Sequence, residues 1–112
     1  MNRVLAAATL ALTLAAPAAA NDAQAKDLAE TRLRGCLLAG ASSAETTGGL
    51  QATIIRVRAY CGAQINRARE MRVLAATANL SGEDAQAAKA RVTRELNHEI
   101  ARAIANFSGL SS

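Results

Sequence analysis

Aromatic side chains are almost missing from this 112-residue chain, which has one Tyr, one Phe and no Trp. That excludes a large aromatic-lined cavity and the stacking platforms on which single-stranded nucleic acids are held. The only proline is Pro17, so nothing after it carries the strongest helix breaker. The only histidine is His98, which leaves no imidazole pair for a metal site. Neither a Gly-x-Ser-x-Gly nucleophile motif nor a Gly-rich phosphate loop is present.

What is abundant is alanine. Of the apolar residues, 15 lie in the first 20 positions; of the 42 that follow, 20 are alanine. A buried alanine contributes far less than the roughly 1.5 to 3 kcal/mol of a buried Val, Leu, Ile, Phe or Met. A domain this small with so thin a core needs a crosslink or a partner.

The first 20 residues read as a secretory signal peptide. Asn2 and Arg3 form a short charged start, Val4 to Ala16 is an apolar run, and Pro17 breaks it before Ala18-Ala19-Ala20. Small residues at Ala18 and Ala20 place the cleavage after Ala20, with Ala23-Gln24-Ala25 as a second site. The run of about 13 apolar residues is short of the roughly 20 needed to span a bilayer, and no longer run follows. The mature product, 21–112, is therefore expected as one soluble domain without a transmembrane anchor. Eleven Arg against two Lys, with so much Ala and Gly, is the composition of a GC-rich bacterial genome. This association makes the periplasm the expected compartment, with the extracellular medium as the alternative.

Residues 21–112 are rich in strong helix formers and predict an all-α fold: a small three-helix bundle with helices over about 22–39, 50–79 and 82–107. Ala25, Leu28, Ala29, Leu33, Cys36 and Leu37 form the apolar face of the first helix, with Gly40 as its stop. Ser42 and Glu45 match a capping box, while Gly48-Gly49 argues for a turn, so a short helical turn is expected between them. In the second helix, Leu50, Ile54, Val57, Cys61, Ile65, Ala68, Met71 and Ala75 recur at steps of three and four. Ile55, Gly62, Val73 and Leu80 form another side for a second neighbour. Ser81 reads as the cap of the third helix, whose face is Ala85, Ala88, Val92, Leu96, Ile100, Ala103 and Phe107 before Gly109.

Cys36 and Cys61 carry the most specific expectation. Residues facing each other across an antiparallel hairpin share a constant index sum, and the midpoint of this pair falls between Gly48 and Gly49. Both cysteines lie on apolar faces, so a disulfide crosslinking the first two helices is predicted, as is usual in an oxidising compartment. A redox-active pair is the rival reading, but Cys-x-x-Cys spacing is missing.

His98 projects away from the Leu96 stripe and is expected in solvent, away from both cysteines, so no metal and no cofactor is expected. Glu95 and Glu99, one turn apart, read as a solvated face beside Arg91, Arg94 and Arg102. Arg58, Arg69 and Arg72 fall along one flank of the second helix, Arg56 and Arg67 along the other, with Glu70 the only counter-charge inside it. Such arginines can simply cover core edges with their stems. As a cluster they are also candidates for anion binding, since guanidinium forks pair with carboxylate and phosphate. The mature chain carries twelve Lys and Arg against nine Asp and Glu, a net charge of +3.

The expectation is thus a small exported helical protein acting as a non-catalytic interaction or binding module of the bacterial envelope, with a protein partner or a second copy bound to an alanine-lined surface. The alternative is a binder of anionic envelope components through Arg56, Arg58, Arg67, Arg69 and Arg72. An enzyme is not expected, and nucleic acid is a poor partner for an exported chain without aromatic platforms.

Overall fold

The computed structural model describes residues 2–43 and 47–111, with side chains from residue 22 onward. Among these residues the chain is entirely helical, with four helices in the order α1 (Asn2–Ser43), α2 (Gly49–Tyr60), α3 (Gly62–Thr77) and α4 (Gly82–Ser108). None of them is long and apolar enough to cross a membrane.

Two boundaries of α1 differ from the sequence expectation. It starts at Asn2 rather than near residue 22, and it runs through Pro17 without a break. A proline inside a helix removes one main-chain donor, and the surrounding Ala and Leu carry the helix across it. At the other end α1 passes Gly40 and stops at Ser43, whose hydroxyl donates to the Ala39 carbonyl. Gly40 is not a stop but a point of close approach. A Cβ there would stand 3.2 Å from Val57 Cγ1 and 3.4 Å from Tyr60 Cδ1, so the missing side chain lets α1 lie against α2. Ser42 belongs to this last turn of α1, and Glu45 of the expected capping box lies outside the described residues.

The turn that follows is where the glycines place it. Gly48 and Gly49 have φ of 93° and 80°, values that L side chains rarely adopt. Arg56 holds the turn from the next helix, donating to the Thr47 carbonyl at 3.2 Å and to Thr53 Oγ1 at 3.3 Å. Thr53, fully buried, donates in turn to the Gly49 carbonyl at 2.9 Å.

The expected second helix is two helices, so the bundle has four and not three. The interruption is a single residue, Cys61, at φ −99° and ψ 17°. Main-chain bonding continues across it: Cys61 N–H donates to the Val57 carbonyl and Ile65 N–H to the Cys61 carbonyl, both at 2.9 Å. The chain bends at Cys61 without a loop, where a buried, crosslinked side chain is followed by Gly62, the residue with the least resistance to a bend.

The core is built from three rows at steps of three and four. Leu33, Leu37 and Ala41 of α1 meet Val57, Cys61, Ile65 and Ala68 of the central pair and Leu96, Ile100 and Ile104 of α4. Such rows are the ridges by which helices interlock. Ile104, fully buried, is missing from the face expected for the last helix; Ala103 and Phe107 pack at its margin instead. Of the second side expected of the middle helix, Gly62 and Val73 are half-buried, whereas Ile55 and Leu80 are 67% and 44% exposed. Ser81 does occupy the N-cap position of α4, but its side chain makes no capping bond.

Candidate functional site

The Cys36–Cys61 disulfide is present, closing a separation of 25 residues with the Cα atoms 5.9 Å apart. It joins α1 to the α2–α3 junction. Cys61 is fully buried and Cys36 packs at the edge of the core, so the bond is part of the scaffold.

The five arginines of the predicted cluster are dispersed by their partners. Arg56 is engaged at the glycine turn. Arg67 pairs with Glu70 one turn on, at 3.4 Å. Arg58 donates to Asn97 of α4 at 3.2 Å, and Arg69 to Asn66 at 2.8 Å. Arg72 stands apart from all of these. Its Nε and Nη2 donate to the two carboxylate oxygens of Glu30 on α1 at 2.9 and 2.6 Å, and its Nη1 to Glu99 on α4.

Arg72 therefore ties three helices at once, and the fork on Glu30 is the strongest geometry open to such a pair. The hydrogen bond from Arg72 holds the Glu30 carboxyl below its ordinary pKa against the opposing effect of burial. Glu30 in turn raises the Arg72 guanidinium above its ordinary range, with Glu99 adding to the effect. Glu99 is thus a cross-helix partner as well as a member of the exposed face of α4 that it shares with Glu95 and Arg102. Glu95 does face Arg91, at 3.9 Å, and His98 is exposed beside Glu95 and Arg102.

Glu30 and Glu99 meeting on one guanidinium bring α1 and α4 together at Arg72. From this knot a groove of about 500 Å³ extends along the α1–α4 seam. Leu33, Leu37, Leu96, Ile100, Ala103 and Phe107 form its apolar lining, and Arg34 and Arg102 stand on opposite walls, one turn beyond the knot. Among the described residues neither of these two arginines has an ion-pair or hydrogen-bond partner. A smaller hollow between α1 and α3 is lined by Ala25, Leu28, Arg32 and Arg67 among others.

The groove was not legible as a site in the sequence. Its only sequence signal is two charged columns at helical spacing, Glu30–Arg34 and Glu99–Arg102, whose meeting depends on how α1 and α4 pack. Among the described residues no three His, Cys, Asp or Glu side chains come together as a metal site would need. Compared with known proteins, the chain matches no family model, no curated protein sequence and no solved structure.

Proposed function

We propose that this chain is a small non-catalytic binding module of the bacterial envelope, exported on a signal peptide over residues 1–20 and working in the periplasm as the helical domain 21–112. The observation that carries the reading is the open α1–α4 groove, which lies over the edge of the core and is bordered by two arginines that have no partner among the described residues. Ligand sites have this character: a concave, mainly apolar surface with a few convergent polar groups, within roughly 300 to 1,000 Å³. The disulfide is compatible with export, and among the described residues no helix is both long and apolar enough to cross a membrane. A photo-crosslinking residue at Asn106, on the groove, and one at Arg94, exposed elsewhere on α4, would test it in living cells. The reading expects a discrete adduct from Asn106 alone. Equal adduct patterns from both positions, or none from either, would count against it.

A second reading keeps the anionic envelope component but places it on the arginines of α2 and α3. In its favour, Arg58 and Arg69 hydrogen-bond to the neutral amides of Asn97 and Asn66, which leaves their charge uncompensated, unlike that of Arg72. Binding of this kind weakens steeply with salt. It should disappear in an Arg58→Gln/Arg69→Gln variant of unchanged helicity, and equal binding at low and high salt would sink it.

A further inference from the structure

We propose that the Cys36–Cys61 disulfide operates a redox-sensitive hinge. Closed, it holds the bend between α2 and α3; once a dithiol has reduced it, the two join into one continuous helix over residues 49–77. The hinge belongs to the scaffold and is independent of what the groove binds.

The usual local causes of a helix break do not account for residue 61. The only proline, Pro17, is far away in sequence. Gly62 does not have a positive φ, and no atom lies within 4 Å of where its Cβ would stand, so neither backbone nor space requires glycine there. Gly62 eases the bend without setting it. Burial does not single out residue 61 either, because Val57 and Ile65, buried one turn to either side, are helical. The main-chain bonds from Cys61 to Val57 and from Ile65 to Cys61 have the four-residue spacing of an unbroken α-helix. What distinguishes Cys61 is its covalent tie to α1, and it is the residue between α2 and α3 that leaves helical dihedrals, at φ −99° and ψ 17°.

The two arms of the hinge are held unequally. Arg72 fixes α3 by gripping Glu30 on α1 and Glu99 on α4. On the other arm, α2 reaches α4 through the bond from Arg58 to the neutral amide of Asn97, and it buries Thr53 and Val57 where α4 buries five residues. When the tie opens, α2 is therefore the arm that moves.

Reduction proceeds by thiol–disulfide exchange. Cys61 is fully buried and Cys36 half-buried, so a thiolate of the dithiol attacks the Cys36 sulfur. A mixed disulfide forms there, and Cys61 leaves as a thiolate that takes up a proton. The reductant's second thiol then attacks the reductant sulfur of the mixed disulfide and frees Cys36, which is protonated in turn. The dithiol departs as its own disulfide, having passed two electrons and two protons to the protein.

Nuclear magnetic resonance of the isotope-labelled chain, oxidised and in dithiothreitol, tests this. Backbone shifts and couplings report the dihedrals around residue 61, and residual dipolar couplings report the angle between α2 and α3. On reduction, residue 61 should move from φ −99° and ψ 17° to about −63° and −42°, and a single axis should fit both helices. Cys36→Ala/Cys61→Ala should show the same straightening without reductant. Gly62→Ala with the disulfide intact should keep the bend. An unchanged angle in the reduced protein and in the double variant would overturn the proposal. So would a bend lost from oxidised Gly62→Ala, which would make the glycine its cause. Loss of helical shifts throughout α3 and α4 on reduction would also overturn it, since the bond would then hold the whole fold and not one hinge.

Discussion

Removing the Cys36–Cys61 bond is the perturbation whose size follows most directly from the structure. The bond closes a separation of 25 residues, for which the chain-entropy relation gives about 3.5 kcal/mol of stabilisation at 25 °C. The Cα separation of 5.9 Å lies inside the ordinary range for disulfides, so no backbone distortion offsets that gain. For a domain of this size, about 3.5 kcal/mol corresponds to a fall in Tm of roughly 14–28 °C. It is also a large fraction of the 5–15 kcal/mol typical of folded domains. Urea unfolding of the oxidised protein, followed by circular dichroism, should be compared with the same protein reduced and kept in reductant. A Cys36→Ala/Cys61→Ala variant separates the loss of the crosslink from any effect of the reductant; alanine avoids burying an unpaired hydroxyl at Cys61. The slope of the unfolding curve should rise on reduction, because the uncrosslinked chain exposes more surface. A loss below about 1 kcal/mol in both experiments would show that the α1–α2 hairpin holds without the bond, and the chain-entropy reasoning would fail here.

Other perturbations address the knot, the glycines and the core. Glu30 has its pKa lowered by Arg72, so its contribution to stability is fully present above its ordinary value of 4.5 and is lost as pH falls through the lower folded-state value. Arg72→Gln should therefore cost about 1–2 kcal/mol at pH 6, between the values for exposed and buried pairs. The difference from wild type should shrink on titration to pH 3, and a constant difference would refute the assignment. Gly35 has nothing near its absent Cβ, so Gly35→Ala should stabilise α1 by about 0.5–1 kcal/mol. Gly40→Ala should instead destabilise, because the new Cβ meets Val57, buried and confined to one rotamer; chemical denaturation showing equal gains at both sites would contradict the close approach. Ile104→Ala should cost about 2–5 kcal/mol by the same measurement, as expected for a fully buried aliphatic side chain, and a loss under 1 kcal/mol would remove Ile104 from the core.

The disulfide and the glycine turn were legible in the sequence because both follow from local arithmetic: two cysteines on apolar faces, equidistant from a pair of glycines. The apolar rows of the last helix were legible for the same reason, apart from Ile104. Steps of four carry the buried row from Ile100 directly to Ile104, whereas a 3.6-residue average favours Ala103 and Phe107. The break at Cys61 was hidden because its neighbours keep helical spacing and helical hydrogen bonding on both sides. Arg72 was visible as a cation and hidden as a crosslink. Its partners are 42 and 27 residues away in sequence, and nothing in the pattern of one helix reports how two others pack against it. The bond from Arg72 to Glu99 was hidden for the same reason, since i, i+3 and i, i+4 spacing describes a helix surface and not what packs against it.

The two crosslinks together explain where the bundle is left open. Cys36 and Glu30 lie six residues apart on α1, about 9 Å along its axis, and both tie it to the central pair of helices. From the other side, α4 is joined to that pair through Glu99 and Asn97. Between α1 and α4 the described residues share no direct ion pair; they meet through the Arg72 guanidinium at one end and through apolar contacts beyond it.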